Sequence, residues 1–311
     1  MKKLLLIILI GTINTAYSQT AKDYKEEAIN AYKQKDYSTA LKAIEKSIKL
    51  DPKNPDSYCT KAQTLYELKK YKEAYQTYND ALAIFPKNYS LYFDRGNFHL
   101  TSQEFDFAIR DFTSAMEFAK NDTLKYTALL NRASAKLSRR EFESCYDDLI
   151  RVYKFDSTNI GALTNLGAVC DEVGRGDETL KYLIKAVEVD SMFEVAYGNI
   201  GFKYQEMGQY EEAIKYFNKL LKINPDQPLG YSNRSYNKLK LGDLEGAMTD
   251  IEKSLKLYPA NSYAYRIRAL IYIEKGNTNK ACIDLQTAIE KGFTVMYGDE
   301  VIELQKKYCK K

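Results

Sequence analysis

One histidine, five cysteines and a scatter of adjacent carboxylates are the residues of this 311-residue chain that could carry out acid–base, nucleophilic or metal chemistry. A general acid or base would come from His99 or from pairs such as Asp147–Asp148 and Glu211–Glu212. Consecutive residues of a helix point to different faces, so these pairs do not converge on one proton. His99 falls within an amphipathic segment where sibling segments place Leu65 or Tyr204, which marks a packed or partly exposed imidazole. A zinc site would need CxxC or a Cys/His cluster, and neither is written here. Glycine-rich phosphate loops and nucleophile elbows are also missing. The expectation is a chain with no catalytic residues, no metal and no cofactor, hence not an enzyme.

The cysteines divide by position. Cys145 falls at a small packing position and Cys170 on a helix face, as expected of buried, inert thiols. Cys282 and Cys309 lie near the C-terminal end, where an exported protein could join them; two free thiols are the alternative. Export is expected from the start of the chain. Lys2 and Lys3 precede the apolar run Leu4 to Ile10, and Ala16, Tyr17 and Ser18 supply a cleavage site before Gln19. Residues 1–18 thus read as a signal peptide, too short in its apolar part to span a bilayer. No Cys follows the run, so a lipid anchor is not expected. The mature chain would be periplasmic or extracellular and envelope-associated, with no transmembrane segment. Without Lys2 and Lys3 it has 44 basic and 42 acidic residues, a balance that leaves no footprint for nucleic acid.

The elements that position these residues follow from a repeat. "YKEAYQTYNDALAIFP" at 71–86 and "YEEAIKYFNKLLKINP" at 210–225 are 139 residues apart. One column runs Ala40, Ala74, Ala108, Cys145, Thr179, Ala213, Ala247 and Ala281, in steps of 34 with a single step of 37. The extra three residues fall near Ala119 to Lys125. Each period reads as two amphipathic helices. In the first, a large residue (Tyr24, Tyr58, Tyr92, Leu129, Leu163, Tyr197, Tyr231, Tyr265) is followed four residues later by a small one. A small side chain there lets the paired helix approach closely. In the second helix the small column precedes Ile44, Tyr78, Phe112, Leu149, Leu183, Phe217, Ile251 and Leu285 by four residues, and Pro52, Pro86, Pro225 and Pro259 end their helices. Tyrosine at the large positions accounts for 27 Tyr and no Trp.

With these columns in place, the chain resembles the tetratricopeptide repeat (TPR) family of exported bacterial type. The resemblance implies an all-α fold, an α-solenoid (right-handed superhelix) of eight TPR helix pairs. The pairs fall at 21–54, 55–88, 89–122, 126–159, 160–193, 194–227, 228–261 and 262–293. A C-terminal capping helix is expected at 294–311, with Asp299 as N-cap and Val301, Ile302, Leu304 and Tyr308 apolar. Repeats three to five end in Lys120, Ser157 and Ser191 instead of Pro, and Gly176 and Thr179 break the fifth repeat's pattern, so a less regular middle is expected.

Four repeats carry Arg just before the small column: Arg95, Arg132, Arg234 and Arg268. The same four carry Asp sixteen residues on: Asp111, Asp148, Asp250 and Asp284. Sixteen residues reach across the turn to the partner helix, so these are expected to be structural salt bridges within a repeat and not ligand hooks.

First helices of TPR proteins line a concave surface, and the resemblance places Asn131, Asn165, Asn199 and Asn233 there. An amide side chain donates and accepts at once and can grip a peptide backbone, similar to the asparagine ladder in the TPR region of O-linked N-acetylglucosamine transferase. Phe93, Leu130, Leu137, Phe202 and Tyr236 are the inner-face candidates for side-chain pockets. The carboxylate clamp of chaperone-binding TPR proteins is not expected: Lys25 could begin it, but Ile29, Thr60, Ser90 and Asp94 break it. The expected function is a protein–protein interaction scaffold binding a protein or extended peptide, with no small-molecule substrate. The alternative is a structural subunit of an envelope or surface assembly, using its convex face and ends.

Overall fold

The computed structural model describes residues 19–309; the segment read as a signal peptide lies outside them. Every regular element among the described residues is helical. The chain divides into two compact units, one ending at Ala135 and the other beginning at Lys136. The first holds α1 (Ala21–Lys33), α2 (Tyr37–Leu50), α3 (Pro55–Glu67), α4 (Tyr71–Ile84), α5 (Tyr89–Thr101), α6 (Phe105–Glu117) and most of α7 (Asp122–Ser138). The second continues with α8 (Phe142–Phe155), α9 (Ile160–Val169), α10 (Thr179–Val189), α11 (Glu194–Glu206), α12 (Tyr210–Ile223), α13 (Pro228–Lys240), α14 (Leu244–Leu257), α15 (Ser262–Glu274) and α16 (Thr278–Glu290). It ends with α17 (Phe293–Tyr297) and α18 (Glu300–Tyr308). Within each unit helices pack in chain order, and first helices also touch the next first helix: α1 with α3, α3 with α5, α11 with α13, α13 with α15. This is the stacking of an α-solenoid.

The small and large columns meet as their spacing demands. A Cβ added at Gly201 would sit 2.9 Å from the Phe217 ring, and one at Gly96 would sit 2.8 Å from the Phe112 ring. Both rings are fully buried. The aromatic column has a second task. The hydroxyls of Tyr58, Tyr92 and Tyr231 donate to the carbonyls of Pro52, Pro86 and Pro225 at 3.1, 3.2 and 3.1 Å. Each ring therefore packs between helices while its tip satisfies the preceding turn, which neither Phe nor Trp does in that geometry.

Each hairpin turn contains one residue with positive φ. These are Lys35, Lys69, Gln103 and Arg140, then Gly174, Gly208, Gly242 and Gly276, on the same 34-residue grid with its one 37-residue step. The three-residue insertion lengthens α7 at its start, to 17 residues where α3 and α5 have 13. Asn121 accepts from the Leu124 amide at 2.9 Å there. Irregularity also appears in the fifth repeat, where α9 has 10 residues and a 3-10 turn at Gly176–Glu178 precedes α10.

At the C-terminal end two short helices cover the last pair. Phe293 and Val301 are buried against Leu285 and Ala288, with Leu304 packed beside them. Asp299 stands at the N-cap of α18 without a side-chain capping bond. A disulfide joins Cys282 to Cys309 across a Cα separation of 5.7 Å, and Arg266 donates from α15 to Glu300.

Candidate functional site

The arginines of the 34-residue grid are occupied. Arg95 grips Asp111 with two bonds of 2.7 Å, and Arg268 grips Asp284 at 2.7 and 2.8 Å. Arg234 does the same to Asp250 at 2.7 and 2.5 Å. Each Asp is nearly fully buried. The guanidinium also has an arm that sixteen-residue counting does not reveal. Arg95 Nη1 donates to Asn79 of the preceding second helix at 2.6 Å, and Arg234 Nη1 donates to Asn218 at 2.7 Å. Asn79 and Asn218 are themselves 139 residues apart, so the clamp across three helices is part of the repeat. Arg132 and Asp148 belong one to each unit. Arg132 donates to Thr113 at 3.1 Å, and Asp148 is held by Lys136 at 2.7 Å. A second nitrogen-bearing side chain stands four residues after the arginine: Lys136, Lys238 (2.9 Å from Asp250) and, in the first unit, His99. The imidazole is buried, with Nε2 3.7 Å from Asp111 and Nδ1 2.6 Å from Glu104. His99 is thus a packed member of a clamp.

The second unit presents a cleft of about 300 Å³ walled by α11, α12 and α13. Asn199, Asn233 and Phe202 line it together, with Val195, Leu220 and Leu229. A neighbouring cleft of about 280 Å³, between α9, α10 and α11, shares Asn199 and Phe202 and adds Asp171 and Lys203, which are ion-paired. Phe202 is 46% exposed, an aromatic ring left to solvent where two clefts meet. The other candidates are placed differently. Asn131 donates to Asn97 at 2.9 Å in the first unit, and Phe93 stacks on Tyr89 and packs edge-on against Phe112. Asn165, Leu130 and Leu137 are half-buried. Tyr236 has the charges of Lys240 and Arg266 each 5.3 Å from its ring centre.

The first unit has a cleft that the ladder does not identify, about 320 Å³ between α1, α3, α4 and α5. Tyr32, Tyr66, Tyr78 and Phe98 form its walls, and Asp94 and Glu67 supply its charge. Asp94 accepts from Gln63 at 3.1 Å, and Glu67 from the Tyr32 hydroxyl at 3.4 Å. Burial pushes the Asp94 carboxyl up to about 6; the neighbouring Cys59 thiol opposes by hydrogen bonding, and Asp56 adds to the rise. The Cys59 thiol is itself pushed up by burial and by Asp94. A signal for this site does exist in the sequence. Asp94 occupies the repeat position that Asn131 occupies 37 residues later, across the insertion.

Family models described as tetratricopeptide repeat match residues 31–94, 195–227 and 230–261. The chain belongs to the tetratricopeptide repeat family. Solved structures similar in fold include the Cut9–Hcn1 hetero-tetramer of the APC/C (16% identity, 88% of this chain and 53% of that one, TM-score 0.64). Pseudomonas aeruginosa pilF follows at 18% identity, covering 70% and 97% with a TM-score of 0.59. A tetratricopeptide repeat protein from Parabacteroides merdae is 18% identical, covering 93% and 100% with a TM-score of 0.50. At these identities the likeness concerns the fold alone. No curated protein matches the chain in sequence. Among the described residues no helix is long and apolar enough to cross a membrane.

Proposed function

We propose that this chain is an exported, non-enzymatic scaffold that takes an extended segment of a protein partner along the clefts of its second unit. Repeats of this family generally serve as interaction scaffolds. The observation that carries the finer reading is the convergence of Asn199, Asn233 and the exposed Phe202 on one cleft. Two amides can pair with a peptide backbone while the ring takes a side chain. Two such hydrogen-bonding sites supply about 1–3 kcal/mol and a buried Phe about 1.5–3 kcal/mol. Micromolar binding needs about 8 kcal/mol. The partner must therefore run past several hairpins. The Cys282–Cys309 disulfide is the chemistry of an oxidising compartment and supports export to the periplasm or cell surface.

A photo-crosslinking residue at Phe202 tests this against one at Ile283, which is 66% exposed on α16. Crosslinks to a partner at 202, lost in an Asn199→Ala/Asn233→Ala background, are expected. Crosslinks at 283 alone would instead favour a structural subunit of an envelope assembly. One observation speaks for that second reading: Val295, Met296 and Tyr297 of α17 are 90%, 68% and 51% exposed, an apolar stretch at the C-terminal end.

A further inference from the structure

We infer that the first-unit cleft is a receptor for a lysine or arginine side chain of an extended protein segment, held between Asp94, Glu67 and the rings of Tyr32, Tyr66, Tyr78 and Phe98. The cation chemistry stands on this cleft alone; only its protein source rests on the scaffold reading.

The cleft is polar in one sense only. Two carboxylates line it and no Lys, Arg or His does, among the described residues. The nearest base on α1, Lys25, is already paired with Asp56 at 3.1 Å. Asp94 is the unusual member. It accepts from neutral donors, the Gln63 amide and the Cys59 thiol, in a partly enclosed cleft. The fully buried carboxylates of the clamps sit on a guanidinium or ammonium, Asp111 on Arg95 and Asp250 on Arg234 and Lys238, whereas half-buried Asp94 sits on neutral groups. A buried carboxylate without its cation is costly to hold ionised and is repaid only when a cation arrives. The walls suit the same guest. Aromatic faces attract ammonium and guanidinium groups and accept the methylenes that carry them. Tyr66 and Phe98 are 5.9 Å apart edge-on, and Tyr78 and Phe98 6.3 Å, leaving open about 320 Å³, room for one long side chain. The charged and titratable groups facing Asp94 are Asp56, Cys59 and Glu67 on α3, Tyr78 on α4, Tyr89 on α5 and Lys25 on α1. Asp56 is the acid whose charge adds to the demand for a cation.

The test is a titration of the full-length mature chain with a fluorescently labelled peptide, acetyl-Gly-Ser-Ala-Lys-Ala-Ser-Gly-amide, and its norleucine counterpart. The lysine peptide should bind at low salt and pH 7.5 on the order of tenfold tighter than the norleucine peptide, the scale of one desolvated charge pair. Asp94→Asn should erase that preference, Glu67→Gln should reduce it, and binding should fade as pH falls through about 6. Asn199→Ala/Asn233→Ala should leave it intact, which separates this site from the second-unit clefts. Equal binding of the norleucine peptide, or lysine preference retained in a folded Asp94→Asn variant, overturns the inference. Free lysine competing as strongly as the peptide overturns its protein-segment part. Should Asp94→Asn fail to melt cooperatively, Glu67→Gln and the pH profile decide alone.

Discussion

In the first unit the residue two places before the small column is Glu26, Thr60 and Asp94, with Asn131 turned onto Asn97; in the second it is Asn165, Asn199, Asn233 and, in the last repeat, Ile267. The helices around these residues are built alike, with the same close approach at Gly96 and Gly201 and the same clamp on Arg95 and Arg234. The contrast teaches that the scaffold positions and the face positions vary independently. The first unit faces its cleft with acid and aromatic rings; the second lines one cleft with Asn199, Asn233 and the exposed Phe202, and its neighbour with the Asp171–Lys203 ion pair as well.

The largest effect that can break this comparison concerns the clamps. Asp111→Ala and Asp250→Ala each remove the partner of a largely enclosed guanidinium and should lower stability by about 3–5 kcal/mol. The arginine substitutions should differ between units. Lys238 remains 2.9 Å from Asp250 after Arg234→Ala, whereas only His99, 3.7 Å away, remains for Asp111 after Arg95→Ala. Arg95→Ala should therefore cost more, by about 1 kcal/mol, in urea melts of the two variants. Equal losses would mean that the second cation does not matter.

An intermediate effect distinguishes the clefts by pH. Asp94 binds its proton more tightly folded (about 6) than unfolded (about 3.8). Between those values the native state holds the extra proton, so this group's contribution to stability is present at pH 4 and lost as pH rises through 6. Asp94→Asn should stabilise by roughly 1–3 kcal/mol at pH 7, each tenfold in acidity being worth about 1.4 kcal/mol. That gain should vanish near pH 4 in thermal melts. A gain of equal size at both pH values would assign it to another cause. Asn199→Asp, the converse change in the second unit, should introduce a pH dependence of the same sign.

The smallest effect lies in the turns. The first unit places Lys35, Lys69 and Gln103 at positive φ where the second, after Arg140, uses Gly174, Gly208, Gly242 and Gly276. Each replacement of the former by Gly should stabilise by up to about 1 kcal/mol, and Gly208→Ala should destabilise by about 1 kcal/mol. Differential scanning calorimetry resolves shifts of this size, and no change in either direction would remove the turns as a difference between the units.

Much of the fold was legible because stacking demands it. A ring that must fit over a missing side chain, as Phe217 does over Gly201, fixes two residues sixteen apart, and eight copies of that constraint set the register. The pairs Arg95–Asp111, Arg234–Asp250 and Arg268–Asp284 were legible for the same reason. Their third arm was not, because the position sixteen residues before the arginine holds Asn79 and Asn218 but Glu252 before Arg268, and the insertion shifts Thr113 off that spacing. The first-unit cleft was also hidden: position alone does not say that Asp94 lacks a cation, since that depends on what burial leaves beside it. Asn131 reads like Asn199 in the sequence, yet only coordinates show one amide already bonded.

The arm that Arg95 and Arg234 extend backwards gives each unit a direction. Melt the second helix of one hairpin, and the arginine of the next loses an acceptor while the arginine of the one before does not. Local opening should accordingly run toward the C-terminus within a unit more readily than toward the N-terminus.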